Sequence, residues 1–225
     1  ENLDAQHLAF VATGRTDVPR THLAAQLQVA GTAAHPTGSA RLSGTIDPLP
    51  DVVPWQAPVQ LTAEVSGSPD SPRGTLAIQV PAWQLSTLQG DGVTLDLSYA
   101  EHALQAKIQA AKITTEVAPI GRVQLGATVD LGWRGERLAV SADVRYGDSP
   151  WLHAQASTQL SQAEALRRGA SLLPELPISA SLDMPRFPLP AGLPATGQIA
   201  VQAQVTGTVA TPAATATIQA SDIPV

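Results

Sequence analysis

The side chains able to do chemistry are scattered along this chain. Five histidines, His7, His22, His35, His102 and His153, fall singly and with no metal-ligand spacing, so each reads as a solvated strand or turn residue. Cysteine is absent, which removes a disulfide framework and any Cys-ligated metal. Serines are frequent, yet there is no GxSxG elbow, P-loop, HExxH pair or calcium loop to organise them. Asp91 and Asp96 read as turn and outer-face residues rather than an acid–base pair. Trp55, Trp83, Trp133 and Trp151 could line a sugar-binding platform, but their spread favours packing at strand ends. No enzyme, metal site or cofactor is expected.

Charge points the same way. The net charge is −6 and lysine occurs only at Lys107 and Lys112. A nucleic-acid surface needs a basic stripe and a membrane-surface segment needs a polybasic cluster, and neither is present. No apolar run approaches the roughly 18 residues of a transmembrane helix. The chain opens on Glu1 with no signal peptide, which reads as a piece cut from a longer protein.

The elements around these residues follow a period of two. Leu23, Ala25, Leu27 and Val29 share one face, with Gln26 and Gln28 opposite. Leu61 and Val65 alternate with Thr62 and Glu64, and Leu95 and Leu97 with Asp96 and Ser98. Leu125, Val129 and Leu131 lie on one side of a long alternating run. Leu138, Val140 and Val144, then Ile178 and Leu182, then Ile199, Val201 and Val205 continue it, and Ile218 resumes it near the end. The pattern predicts about a dozen to fourteen strands, each with an apolar and a polar face. "GDG" at Gly90–Gly92, "WRGER" at Trp133–Arg137 and "YAEHA" at Tyr99–Ala103 are the predicted tight turns. A Pro-rich connector is expected over 184–194. "SQAEALRRG" breaks the alternation: Ser161 and Glu164 have the capping-box spacing and Gly169 the C′ position, so a short helix is expected near 161–168. It would cap one end of the sheet or lie as a lid in its channel. Arg167–Arg168 would be its solvated last turn.

Three segments repeat. "LQVAGTAAHPTGSARLSG" from Leu27, "AEVSGSPDSPRGTLAIQV" from Ala63 and "AQVTGTVATPAATATIQA" from Ala203 align. Each has a valine two before a glycine (Gly31, Gly67, Gly207), a hydroxyl residue after it, and a proline five beyond it (Pro36, Pro72, Pro212). "LDLSYAEHALQAKIQA" from Leu95 parallels "VDLGWRGERLAVSADV" from Val129. Glycine permits a sharp bend and proline lacks a ladder donor, so the unit ends one strand and starts the next. Repetition strings antiparallel strands side by side over residues 1–225 as one elongated segment.

The motif "VTGTVATPAATATIQA" after "LPATGQIAVQAQ", the two hairpins above, and the helical stretch after "HAQASTQLS" resemble the repeats of the TamB family, AsmA-related proteins of diderm bacterial envelopes. The resemblance covers most of the chain through degenerate motifs. It implies an all-β, mostly antiparallel sheet curled into an open half-pipe, the β-taco, with an apolar interior. It implies an inner-membrane parent that crosses the periplasm, carries phospholipid acyl chains toward the outer membrane, and works with an outer-membrane Omp85-type partner. This chain would be an interior periplasmic piece. The residues themselves agree in one respect. About fourteen strands at roughly 4.8 Å each make a sheet on the order of 65 Å long, and its oily face needs a cover. The alternative reading is a structural or adhesive β-repeat module that binds a protein through its outer face or edge, including edge-to-edge pairing of its own copies.

Overall fold

In a computed structural model, described for residues 7–18, 20–32, 36–48, 55–117, 121–188 and 197–221, the chain forms one antiparallel sheet of thirteen strands. They are β1 (His7–Val18), β2 (Thr21–Thr32), β3 (Pro36–Ile46), β4 (Val59–Ser68), β5 (Ser71–Leu85), β6 (Leu88–Ala100), β7 (Ala103–Val117), β8 (Gly121–Arg134), β9 (Arg137–Tyr146), β10 (Ser149–Gln159), β11 (Pro177–Pro188), β12 (Gln198–Thr208) and β13 (Pro212–Ser221). Spatial order follows chain order throughout, so every strand pairs only with its sequence neighbours. The first and last strands do not meet, and the sheet stays open.

The glycine–proline repeat sets three of the hairpins. Gly31 pairs with Pro36, Gly67 with Pro72 and Gly207 with Pro212. The three glycines share one backbone state, φ 107°, 111° and 106°, which side-chain-bearing residues rarely adopt. In two repeats the hydroxyl after the glycine meets one across the turn: Ser68 to Ser71 at 2.9 Å, and Thr208 to Thr211 at 2.8 Å. The predicted turns at "YAEHA" and "WRGER" also close hairpins, with Glu101, His102 and Gly135 at positive φ.

"GDG" is different. Gly90–Gly92 lies inside β6, and the chain turns instead before Leu88, where Ser86 has φ 54°. Gly90 is there because the Trp83 ring of β5 lies directly over it, where a Cβ would overlap the ring. The expected connector also shortens from its start: Met184–Pro188 belongs to β11, with a register shift between Met184 and Phe187, and residues 189–194 lie outside the described residues.

Helix α1 (Gln162–Arg168) is where the capping residues place it. Ser161 Oγ accepts from the Glu164 amide at 3.1 Å, and Gly169 at φ 54° donates its N–H to the Ala165 carbonyl. A 3-10 segment, Gly169–Glu175, follows directly. Arg168 joins the two by bonding Glu175 at 2.9 Å and Glu164 at 3.5 Å. The Glu175 hydrogen bond is the main cause that holds its guanidinium pKa above the ordinary value.

Among the described residues the sheet has no second layer beyond a short helical cap. The buried hydrophobic residues are Val59, Val123, Leu160, Leu172 and Leu176, and no described side chain is fully enclosed. Total accessible surface is 15166 Å². A compact globule of 23.3 kDa would expose roughly 9,700 Å². The one cluster of buried residues sits under the helix, where Leu160, Leu172 and Leu176 pack against Trp133, Leu138 and Ala165. Trp133 Nε1 donates to the Leu160 carbonyl at 2.8 Å. The helix therefore caps the strand ends at the β8–β9 hairpin. Among the described residues no helix is long and apolar enough to cross a membrane.

Candidate functional site: two unlike faces of one sheet

Register turns the alternation of single strands into rows that cross the whole sheet. One row runs Gly14, Ala25, Leu42, Ala63, Leu76, Leu97, Ala106, Leu131, Val140, Ala156, Ala180, Val205, Ala214. It is apolar on all thirteen strands. The next row carries Leu23, Gly44, Leu61, Ile78, Leu95, Ile108, Val129, Ala142, Ala154, Leu182, Ala203 and Ala216. Beyond it lie Val80, Val93, Ala110, Ala127, Val144 and Leu152, with Met184, Val201 and Ile218 in line on the last strands. On the other flank, Leu27, Ala40, Val65, Gly74, Tyr99, Leu104, Trp133 and Leu138 form a fourth row that ends under the helix.

The structure thus brings fifteen of the nineteen predicted lining residues into these four rows. The other four flank them: Val29 pairs with Phe10 and Gly38, Leu125 with Ile113 and Tyr146, Ile178 with Gly207, and Ile199 with Phe187 and Ala220. None of the nineteen is buried. Leu27, Val65 and Ile218 are exposed, and the remainder are half-buried.

The opposite face is polar with equal regularity. One of its rows reads Thr45, Gln60, Gln79, Thr94, Gln109, Thr128, Asp143, His153, Asp183, Gln202, Thr217. His153 Nδ1–H donates to Asp143 Oδ1 at 2.7 Å, while Gln155 Nε2 donates to His153 Nε2 at 2.6 Å. Gln202 Nε2 donates to Asp183 Oδ1 at 3.1 Å. One row over, Lys107 stands between Asp96 and Asp130 and approaches Asp130 at 3.9 Å. Asp96 and Asp130 are equivalent positions of the two repeated hairpins, so the repeat itself places both carboxylates beside that lysine.

A cavity of about 980 Å³ runs along the hydrogen-bonding direction from β5 to β12. Its edges are residues such as Thr75 and Ala77, Asp96 and Ser98, Gln105 and Lys107, Ser179 and Ser181, Gln204 and Thr206, all from the polar face. Between them lie the strand centres, including the predicted Leu97, Leu131 and Val140. The bounded space therefore lies against the polar rows, and the four aliphatic rows form an open face beside it. The alternation of residue types marks which side chains share a face. It carries no sign of which face bends around a cavity.

Among the described residues the histidines lie apart from one another. His102 sits at a hairpin tip, far along the chain from His153 on the polar face. No group of three His, Asp or Glu side chains able to hold a metal occurs among the described residues. Asp91 is in β6 rather than in a turn. Trp83 bridges Trp55 near the end of β5, whereas Trp133 lies under the helix at the other end of the strands. The alternation and capping patterns gave no sign of the buried pair Leu172, inside the 3-10 segment, and Leu176, the residue that follows it. No family model, curated protein or solved structure matches this chain.

Proposed function

We propose that this sheet is a segment of a lipid conduit, which shields phospholipid acyl chains along its aliphatic face between two membranes. One observation carries the reading: four largely apolar rows share one face, the first of them crossing all thirteen strands, and among the described residues only the end of the fourth row, at Trp133 and Leu138, lies under another element. Soluble monomers rarely expose apolar patches beyond a few hundred Å², so such a face calls for a greasy cover. Each CH₂ placed on it is worth about 0.8 kcal/mol, or on the order of 12 kcal/mol for a sixteen-carbon chain before ordering costs. The first three rows interleave alanine and glycine with leucine, isoleucine, valine and one methionine and present no polar side chain as a stopping point, while the fourth carries Tyr99 and Trp133. A chain lying across them slides from strand to strand without leaving hydrocarbon, while its headgroup stays in water.

The repeat's resemblance to TamB supports the same reading. It extends the proposal to a periplasmic setting, an inner-membrane-anchored parent and an Omp85-type partner. The test is organic extraction and mass spectrometry of the purified chain. Phospholipid is expected at a reproducible ratio, and Leu131→Asp, Val140→Asp and Val201→Arg should each lower it with the strand signature intact. Unchanged phospholipid in all three variants, or none in the parent chain, rejects the conduit and leaves the β-repeat module as the better reading.

A further inference from the structure

We infer that a small polar pocket at the ends of β5, β6, β7 and β8 is a binding site for a phosphate group, held between Lys112 and Arg122. The inference rests on the donors gathered there and is independent of the lipid reading.

The pocket has a volume of about 310 Å³, at the small end of ligand sites. Register sets Asp91 opposite Lys112, and Thr114 between Gln89 and Gln124. Lys112 sits where β7 loses register with β8, between Ala110 and Ile113, and such bulges re-aim side chains beside binding sites. Arg122 enters from β8, opposite Glu116. Trp83 forms a wall, its ring packed over Gly90. Gln56 stands beside that wall: its backbone N–H donates to the Ala82 carbonyl at 2.9 Å, and its Nε2 donates to Gln84 Oε1 at 2.7 Å.

Two observations point to a ligand. Thr114 is 6% exposed, the only polar residue buried to that degree among the described residues. It lines the pocket, and its hydroxyl bonds no described group. A buried hydroxyl without a partner carries a desolvation cost that a bound partner removes. Second, Lys112 and Arg122 both line the pocket, and neither makes an ion pair among the described residues, although Asp91 and Glu116 face them across the ladder. Trp83 Nε1 is a further enclosed, unbonded donor in the wall. Ammonium and guanidinium groups carry only donors, and the Gln89 and Gln124 amides add more. So many donors around one small space suit an anion with several oxygens. Two cations against Asp91 leave the lining positive in a chain of net charge −6. Guanidinium and ammonium together are the groups proteins use on phosphate oxygens. Hydrocarbon finds little to hold here, since Ala82, Trp83 and Gly90 are the only apolar residues of the lining.

A free phosphate and a lipid headgroup share this chemistry, and two probes separate them. The purified chain is titrated at constant ionic strength with inorganic phosphate and, separately, with monomeric dihexanoyl-phosphatidylglycerol, while amide and indole NMR shifts are followed. Saturable shifts are expected at Gly90, Thr114, Gln124 and the Trp83 indole. Lys112 and Arg122 are exposed, so Lys112→Gln and Arg122→Gln should keep the fold and each weaken binding about fivefold or more. Thr114→Val should weaken it as well, and Thr114→Ser should retain it. Arg73→Gln removes the same charge near the other end of β5 and should leave binding unchanged. Tighter binding of inorganic phosphate identifies a free phosphate as the ligand, and tighter binding of the lipid identifies a headgroup. No saturable shift with either probe overturns the inference. So do shifts that neither Lys112→Gln nor Arg122→Gln weakens, and lipid shifts confined to the aliphatic rows with no response to phosphate.

Discussion

At the scale of the residue, glycine has two separate tasks here, and only one was legible. Gly31, Gly67 and Gly207 share a position in the repeat and a φ near 107°, so sequence spacing and backbone geometry agree. A Cβ at Gly207 would run into the Thr211 carbonyl, and the backbone state would be strained as well. Gly207→Ala should therefore cost about 1–3 kcal/mol, read as a lower urea midpoint. Gly132→Ala is the control, because its Cβ meets nothing within 4 Å and its backbone is ordinary strand; its unfolding free energy should stay within about 0.5 kcal/mol of the parent. Gly90 does the other task. It makes room for the Trp83 ring from the neighbouring strand. Composition cannot distinguish a glycine that bends its own chain from one that admits a partner's side chain, and "GDG" therefore looked like a turn.

At the scale of the element, the helix was readable because its ends are written in side chains that bond its own backbone. Ser161 and Gly169 fix both ends locally. The 3-10 segment after it has no side-chain cap and holds Pro174 inside, so nothing in its sequence announces a helix. Its position comes from Leu172 and Leu176 packing against Trp133 and Leu138, contacts that arise only once β8 and β9 have paired. Among the described residues this cap holds the one buried cluster, and it can fail without the sheet failing. Leu176→Ala should loosen it by about 2 kcal/mol or more. The expected readout is faster hydrogen exchange at the Glu164, Ala165 and Gly169 amides and a shifted Trp133 indole signal, with exchange in β6 unchanged. Equal acceleration in β6 would show that the cap and the sheet unfold as one unit.

At the scale of the whole molecule, the strand order and the two unlike faces follow from alternation plus a repeated turn, because each strand needs only its sequence neighbour. The placement of the cavity does not follow, since it depends on twist and bend accumulated over eight strands rather than on any residue's type. The single layer has a thermodynamic consequence. An unfolded chain of 23.3 kDa exposes roughly 33,800 Å². Unfolding from 15166 Å² thus uncovers roughly 18,600 Å², where a compact globule of this mass would uncover roughly 24,100 Å². The denaturant slope scales with that difference, so the m-value in urea should be about a quarter below that of a compact protein of equal length. Pairing only between sequence neighbours adds that fraying can begin at either edge, as in other linear arrays, which lowers the apparent slope further. An m-value at or above the compact-protein figure would mean that the aliphatic rows are covered by protein in solution. In that case both the lipid proposal and the open sheet beneath it would have to be given up together.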